Sequence, residues 1–133
     1  MSDHITTIPL RWGDFDRFGH VTNTAYLELA QEARTLWARD RFDTKGHEIP
    51  AVFIRKLEVE YLRPVMPSQS EVEVRTRVSH VGKTSFSTTQ DIVAGGEVAA
   101  TVTTVAVAVD FKTATPRAIT AREAKILMPP AEK

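Results

Sequence analysis

The chain has 133 residues, of which 42% are hydrophobic, and this length predicts a single domain over residues 1–133 with a substantial core. Lysine plus arginine and aspartate plus glutamate both total 17, so the formal net charge is zero and nucleic acid is not an expected partner. Cysteine is absent, which excludes disulfides, thiolate nucleophiles and cysteine-based metal sites. Neither a signal peptide nor a run of about 20 apolar residues occurs, so we expect a cytoplasmic protein without a membrane span.

The first half of the chain predicts a short strand followed by one long helix. Residues 5–12 form the strand, in which Pro9 indicates a sheet edge or a strand start. A loop with two glycines and two aspartates follows. From about residue 24 to residue 42 the apolar period is helical and no proline interrupts it, with Asn23 or Thr24 as the predicted N-cap.

Four more strands and a short helical turn near residues 121–127 are predicted for the remainder. The strands are predicted over residues 53–61, 71–78, 86–93 and 97–111. In the last of them the apolar phase changes near Thr103-Thr104, which indicates a β-bulge or burial on both faces.

These elements together predict an α+β domain of two layers. The connections between the last four strands are too short for parallel pairing, so we expect a mostly antiparallel five-stranded sheet. The helix must cover one face of that sheet. The other face and the edges of the sheet need a partner, and a homodimer or a larger assembly supplies one.

The segment between Arg11 and Arg34 is the strongest candidate for a catalytic site. It reads R-W-G-D-F-D-R-F-G-H-V-T-N-T-A-Y-L-E-L-A-Q-E-A-R and places carboxylates in a loop that enters the only long helix. Free amides and the helix dipole at such a point favour an oxyanion. A nearby carboxylate can attack a carbonyl or deprotonate water. From the residues alone, the simpler interpretation is that Asp14 and Asp16 are turn formers or helix caps.

This segment resembles the signature of the 4-hydroxybenzoyl-CoA thioesterase-like branch of the hot-dog superfamily, the acyl-CoA thioesterases. That signature is an aromatic-x-D-x-D-x-x-G-x-V loop followed by Asn, Tyr and E-x-A-R on the helix. The matching residues are Trp12, Asp14, Asp16, Gly19, Val21, Asn23, Tyr26 and Glu32-Ala33-Arg34. The resemblance extends over residues 5–111. It implies a hot-dog fold, in which the sheet wraps one long central helix, and Asp-dependent hydrolysis of an acyl-CoA to free acid and CoA.

The resemblance also assigns roles to residues of the loop and helix. Asp16 matches the catalytic carboxylate, and Asn23 matches the position whose backbone N–H polarises the thioester carbonyl. His20 and Tyr26 are implied to contact substrate, and His20 is also a rival for the general base. Thr22 departs from the family pattern, where a second Asn is frequent, and this departure concerns loop packing more than chemistry.

A second set of residues is expected to contact the nucleotide part of CoA. The turn Lys83-Thr84-Ser85 resembles a turn of the family that lies along the pantetheine and nucleotide, with Lys83 as a phosphate contact. Arg55 stands on the predicted apolar phase of its strand, which suggests a phosphate contact or an interfacial ion pair. A solvated turn lysine and an arginine with a buried stem are the simpler alternatives.

Two other functions fit the same sequence. One is a hot-dog hydratase or dehydratase acting on enoyl or hydroxyacyl thioesters, which needs a catalytic histidine with a carboxylate partner. The other is a non-catalytic acyl-thioester-binding protein. No cofactor or metal is expected, because CoA is part of the substrate and the histidines lack ligand spacing. The substrate is an acyl-CoA or an acyl-carrier thioester, and family resemblance implies a homodimer or homotetramer with each site where two subunits meet.

Overall fold

A computed structural model of the chain describes residues 3–129 and shows a five-stranded sheet with one long helix packed on one face. The elements in chain order are β1 (His4–Pro9), α1 (Asn23–Arg41), β2 (Val52–Tyr61), β3 (Glu71–Val81), β4 (Ser85–Ala94), β5 (Glu97–Ala108) and α2 (Ala121–Leu127). Short 3-10 turns at Trp12–Asp14 and Asp43–Lys45 precede and follow α1. Every neighbouring pair of strands is antiparallel, as the short connections predicted.

The strand order explains why the helix lies across the sheet. The order is β1-β3-β4-β5-β2, so β1 and β2 form the two edges. Because α1 connects these two edges, the chain between them must cross the face of the sheet. Pro9 is the last residue of the edge strand β1, where its missing N–H disturbs no central ladder. None of the helices within residues 3–129 is long and apolar enough to cross a membrane.

The start of α1 is one residue earlier than its sequence pattern predicted. The N-cap is Thr22, whose side chain accepts a hydrogen bond from the amide of Ala25 at 3.2 Å. Asn23 and Thr24, the predicted caps, are instead the first two residues of the helix. The apolar stripe of α1 packs on the sheet as predicted, and its buried residues are Ala25, Tyr26, Leu29, Ala30, Ala33 and Trp37.

Beneath α1 the core divides into two apolar clusters separated by a polar layer. Ile92 on β4 belongs to the cluster under the N-terminal half of the helix, and Phe86 belongs to the cluster under the C-terminal half. Gln90 lies between them and is fully buried. Its Nε2 donates to the carbonyl of Ala30 at 2.9 Å and to Oγ1 of Thr76 at 3.1 Å, so the helix is tied to the sheet by polar contacts.

A bulge in β2 changes which of its residues face the helix. Ile54 pairs with Ala106 and Lys56 pairs with Val105, so Arg55 is an extra residue in the ladder. Residues that face each other across an antiparallel pair lie on the same side of the sheet. The helix-facing residues of β2 are therefore Val52, Ile54, Leu57, Val59 and Tyr61. Arg55 is therefore not one of the helix-facing positions of β2. The extra residue at the bulge shifts the alternation of side chains between the two faces by one position.

The bulge predicted in β5 is at a different place. β5 pairs without a register shift across Thr103 and Thr104, and its own irregularity is at Ala99. The apparent phase change arose because Thr104 is polar yet buried, bonded to Nη1 of Arg34 at 3.3 Å. Burial on both faces, the other expectation, occurs from residue 106 to residue 109.

The helix α2 begins at a capping box that also holds an ion pair. Oγ1 of Thr120 accepts from the amide of Glu123 at 3.1 Å, and Oε1 of Glu123 accepts from the amide of Thr120 at 2.9 Å. Arg117 donates to both oxygens of Glu123, at 2.9 and 2.8 Å. These hydrogen bonds from Arg117 outweigh the effect of burial and lower the pKa of Glu123 from 4.5 to about 2.

We expect Glu123→Gln to lower the free energy of unfolding by about 2 kcal/mol at pH 7, because the ionised form of Glu123 is stabilised in the native state. A carboxylate with a depressed native pKa contributes stability above its unfolded pKa and loses it as the pH falls through the native pKa. The difference between the two proteins should therefore be full above pH 4.5 and should shrink toward pH 2. Urea unfolding across this range measures it. Glu71→Gln, at an exposed carboxylate, is the control and should change stability by less than about 0.5 kcal/mol.

Candidate active site

The loop before α1 is held in place by the buried carboxylate of Asp14. Its Oδ2 accepts from the amide of Arg11 at 2.7 Å and its Oδ1 accepts from Nη2 of Arg11 at 2.8 Å. Its carbonyl accepts from the amide of the N-cap Thr22 at 2.8 Å. Burial acts to raise the pKa of Asp14, but the hydrogen bonds and charge of Arg11 outweigh it and lower the pKa below its usual value. Asp14 therefore shapes the loop and anchors the helix start.

Asp16, the predicted catalytic residue, is exposed and has one carboxylate oxygen free. Its Oδ1 accepts from the amides of Phe18 at 2.9 Å and His20 at 3.1 Å. The amide of Asp16 donates to the carbonyl of His20 at 2.8 Å, which closes the loop. Gly19 has a φ of 82°, a conformation that favours glycine. The loop thus orients the carboxylate, and among the described residues Oδ2 accepts no hydrogen bond.

Asn23 presents its backbone amide at the first turn of α1. Within residues 3–129 this amide donates to no other group, as expected for the first residue of a helix. The hydroxyl of Tyr61 donates to the carbonyl of Asn23 at 2.9 Å and fixes this turn from the end of β2. The ring of Tyr26 packs edge-on against Tyr61 with the ring centroids 5.2 Å apart, and its hydroxyl accepts from the amide of Val65 at 3.1 Å. Burial raises the pKa of Tyr26 above its ordinary value.

A cavity of about 320 Å³ joins these groups. Four of the residues singled out in the sequence line it, and the end of β2 forms the opposite wall: Asp16, His20, Asn23 and Tyr26 on one side, and Tyr61, Leu62, Arg63 and Pro64 on the other. The imidazole of His20 forms no hydrogen bond with a carboxylate of the described chain, whereas a hydratase requires such a pair. The arrangement places an oriented carboxylate beside a free amide at a helix N-terminus, which suits attack on a polarised carbonyl.

The other predicted site residues lie elsewhere in the same copy of the chain. Ser85 pairs with Val107 of β5, which in turn pairs with Phe53 near the start of β2. The turn that holds Lys83 and Thr84 is therefore at the end of the sheet opposite to the Asp16 cavity, about 30 Å away along β2. Arg55 is exposed in the bulge of β2 and does not line the cavity with Asp16. One copy of the chain does not bring these residues to the loop of Asp16.

Sequence reasoning missed Tyr61 and the cap Thr22. Tyr61 is the last residue of the strand predicted over residues 53–61 and was not singled out as a site residue. The sequence feature that could have indicated a role for Tyr61 is a hydroxyl at the last position of a strand. Pro64, three residues later, marks the point where the chain leaves the sheet. Arg63 also lines the cavity, but its side chain forms an ion pair with Glu97. For Thr22 the signal was a β-branched hydroxyl residue directly before the helical period.

We expect Tyr61→Phe to lower kcat by about threefold to tenfold, because the first turn of α1 loses the hydrogen bond that positions Asn23. The ring packing against Tyr26 is retained, so stability should fall by only about 0.5–1.5 kcal/mol. Thiol release and thermal unfolding measure the two effects. Tyr26→Phe is the comparison: it removes the partner of the buried Val65 amide and should reduce stability more than activity. Equal kcat for wild type and Tyr61→Phe would contradict a positioning role.

Comparisons with known proteins agree with this fold. A family model described as the thioesterase-like superfamily matches residues 10–131. Among solved structures, a thioesterase from Thermus thermophilus complexed with coenzyme A and Zn is 27% identical, with a TM-score of 0.79 over 92% of this chain and 90% of that chain. A protein described as a predicted thioesterase from Bacillus stearothermophilus is 25% identical, with a TM-score of 0.84 over 95% and 94% of the two chains.

A DHNA-CoA thioesterase from Staphylococcus aureus shares the fold at 21% identity, with a TM-score of 0.76 over 90% of this chain and 82% of that chain. Among curated proteins no match is found. The fold and the family define a thioester hydrolase of the hot-dog class, as the resemblance in the sequence implied. The chain belongs to the thioesterase-like superfamily.

Proposed function

We propose that this protein hydrolyses acyl-CoA thioesters to the free acid and CoA, with Asp16 as the catalytic carboxylate and the Asn23 amide as the donor to the thioester carbonyl. One observation carries the proposal: the oxygen of Asp16 that lacks a partner and the free amide of Asn23 border the same cavity at the start of α1. The coenzyme A in the T. thermophilus structure supports CoA as the thiol of the substrate. Acyl-carrier thioesters share the pantetheine arm and are tested alongside.

The chemistry follows from the two groups. As the carbonyl carbon is attacked, negative charge develops on the carbonyl oxygen, and the amide together with the helix dipole stabilises it. Oδ1 of Asp16 stays bound to the loop amides, so Oδ2 is the reacting oxygen. It either takes a proton from an attacking water or attacks the carbonyl itself, forming an anhydride that water then cleaves. In both routes the C–S bond breaks, the thiolate of CoA is protonated and the carboxylic acid is released.

A second copy of the chain supplies the missing nucleotide contacts in our proposal. The helix-facing residues of β2 are exposed although apolar, with Val52 at 39%, Ile54 at 43% and Leu57 at 38%. The free edge of β2 also offers unpaired backbone groups. Antiparallel pairing of this edge with the same edge of a second copy covers both features and gives a closed two-fold dimer.

The dimer also accounts for the positions of the predicted CoA contacts. Antiparallel pairing of β2 brings the Tyr61 end of one copy beside the Val52 end of the other. The turn of Lys83, Thr84 and Ser85 is at the Val52 end, so each Asp16 cavity receives this turn from the second copy. Arg55 lies on the same edge near the interface. The phosphates of CoA are then within reach of basic side chains that one copy keeps distant from Asp16.

The experiment that tests the proposed function follows thiol release from short-chain, long-chain and aromatic acyl-CoAs and from the matching acyl-carrier proteins. We expect hydrolysis of a subset of the CoA thioesters, with equal amounts of free acid and thiol. Hydrolysis of none of them by a protein that is folded and dimeric would contradict the proposal. Hydrolysis of the carrier-bound thioesters alone would transfer the activity to acyl-carrier substrates.

A further inference from the structure

A second cavity, of about 480 Å³, lies beside the C-terminal half of α1. The Val52 end of β2 forms part of its wall, and α1 runs from this cavity to the Asp16 cavity. The segment of α1 between Asn23 and Gln31, where the second cavity begins, is about 12 Å long. Much of the lining is apolar, with Trp37, Phe42, Ile54, Phe86 and Ala106 among its residues. A cavity with this lining suits a hydrocarbon chain.

One wall of this cavity carries the positive charge of Arg34. Its guanidinium is half-buried, and Nη1 donates to Oε1 of Gln90 at 3.0 Å and to Oγ1 of Thr104 at 3.3 Å. Both acceptors are neutral, and among residues 3–129 no carboxylate forms an ion pair with Arg34. Burial lowers the pKa of Arg34 below its ordinary value. A half-buried cation without a carboxylate is unusual, because removing a charge from water is costly unless it is paired.

Two further polar groups of the same cavity lack partners. Trp37 is 4% exposed and Thr88 is 2% exposed, and both line the cavity. Within the described chain, neither the indole Nε1 of Trp37 nor the hydroxyl of Thr88 takes part in a hydrogen bond. Buried polar groups in proteins are almost always bonded, so such a pair in one cavity indicates a ligand. The indole and the guanidinium only donate, so the missing group is an acceptor.

We propose that this cavity binds the distal end of the acyl group and that the preferred acyl group ends in a carboxylate, recognised by Arg34, Trp37 and Thr88. This inference rests on the proposed acyl-CoA hydrolysis and names its substrate class, the CoA monothioesters of dicarboxylic acids. The apolar walls hold the methylene chain, and the carboxylate supplies both the negative charge and the acceptors that the cavity lacks. In the proposed antiparallel pair of β2 strands, the Val52 end that lines this cavity lies beside the Tyr61 end of the second copy.

Matched pairs of thioesters test this inference. Thiol release is measured for adipoyl-, suberoyl- and sebacoyl-CoA against hexanoyl-, octanoyl- and decanoyl-CoA. We expect the best carboxylate-terminated thioester to exceed its methyl-terminated partner in kcat/KM by about tenfold or more. In Thr88→Val and Arg34→Met this ratio should fall by about tenfold, because only the carboxylate-terminated thioester loses a contact with the replaced side chain. A purely structural role would reduce both thioesters equally.

The remaining outcomes also decide the inference. Arg34→Met leaves Gln90 without its donor and can unfold the protein. In that case Thr88→Val, which conserves volume, and Trp37→Phe, which keeps an aromatic ring, decide whether the cavity recognises the carboxylate. Equal kcat/KM for the members of every pair in the wild type would overturn the inference while leaving the hydrolase intact. If the wild type hydrolyses neither thioester of any pair, the proposed function fails. Calorimetric binding of suberoyl-CoA and octanoyl-CoA to the unreacting protein then decides whether the cavity recognises a carboxylate. Tighter binding of suberoyl-CoA supports recognition of the carboxylate, and equal binding overturns it.

Discussion

Replacing Asp16 with asparagine is expected to lower kcat/KM for acyl-CoA thioesters by about a hundredfold or more, a scale typical for the loss of a catalytic carboxylate. Asparagine retains an oxygen that accepts from the amides of Phe18 and His20, so the loop keeps its shape. Its amide nitrogen replaces Oδ2 and neither takes a proton from water nor attacks a carbonyl. The side chain is exposed, so thermal unfolding of the variant should match that of the wild type.

Asp110 offers a matched control for this substitution. It is exposed, and its Oδ1 accepts from the amides of Lys112 at 2.9 Å and Thr113 at 3.2 Å, so it forms the same kind of turn as Asp16. Asp110→Asn should leave kcat/KM unchanged within about twofold. If Asp16→Asn were as active as this control, Asp16 would not be the catalytic carboxylate. A loss of activity accompanied by a lower unfolding temperature would instead indicate a structural role of the loop.

Local sequence signals were sufficient to predict α1 and the loop that precedes it. The helical period of the apolar residues and the absence of proline are properties of a short stretch, and so is the loop in which Asp16 and Asn23 are seven positions apart. The N-cap was misplaced because Thr22, Asn23 and Thr24 are all good caps, and only the backbone distinguishes them. Signals that require only neighbouring residues were therefore reliable to within one residue.

Features that depend on strand pairing were not predictable in the same way. The bulge at Arg55 is defined by the register of β2 against β5, and one strand does not contain that information. The apolar phase appeared to change at Thr104 because the partner of its hydroxyl, Arg34, lies far away in the sequence. Lys83 and Asp16 are related to one site by family resemblance, yet they lie at opposite ends of the sheet. The proposed second copy of the chain reconciles the two placements.

Leu57→Lys is expected to convert the protein from a dimer into a monomer. Leu57 lies near the middle of β2 on its helix-facing side, and its exposure in one copy allows a lysine without loss of core contacts. In the proposed dimer a lysine from each copy would approach the two-fold axis in a desolvated interface, where unpaired like charges are strongly unfavourable. Light scattering after size-exclusion chromatography measures the mass.

Ile5→Lys is the matched control for the interface. Ile5 is 56% exposed on β1, the opposite edge of the sheet, and its replacement should leave both the dimeric mass and the activity unchanged. The Leu57→Lys monomer should lose about a hundredfold in kcat/KM, because each cavity loses the turn that contacts CoA. A Leu57→Lys protein that is still dimeric would place the interface elsewhere. A monomer with full activity would show that one copy contains a complete site.

Mixing two impaired variants distinguishes a site shared between copies from a site within one copy. Asp16→Asn lacks the catalytic carboxylate, and Lys83→Glu is expected to reduce activity at low substrate by about tenfold. When the two variants pair at random, half of the dimers contain one copy of each. If each site combines Asp16 of one copy with Lys83 of the other, one of the two sites in every mixed dimer is intact. Activity should then recover to about a quarter of the wild-type value, about five times the mean of the separate variants. If both residues act within one copy, no mixed dimer has an intact site, and the activity stays at that mean.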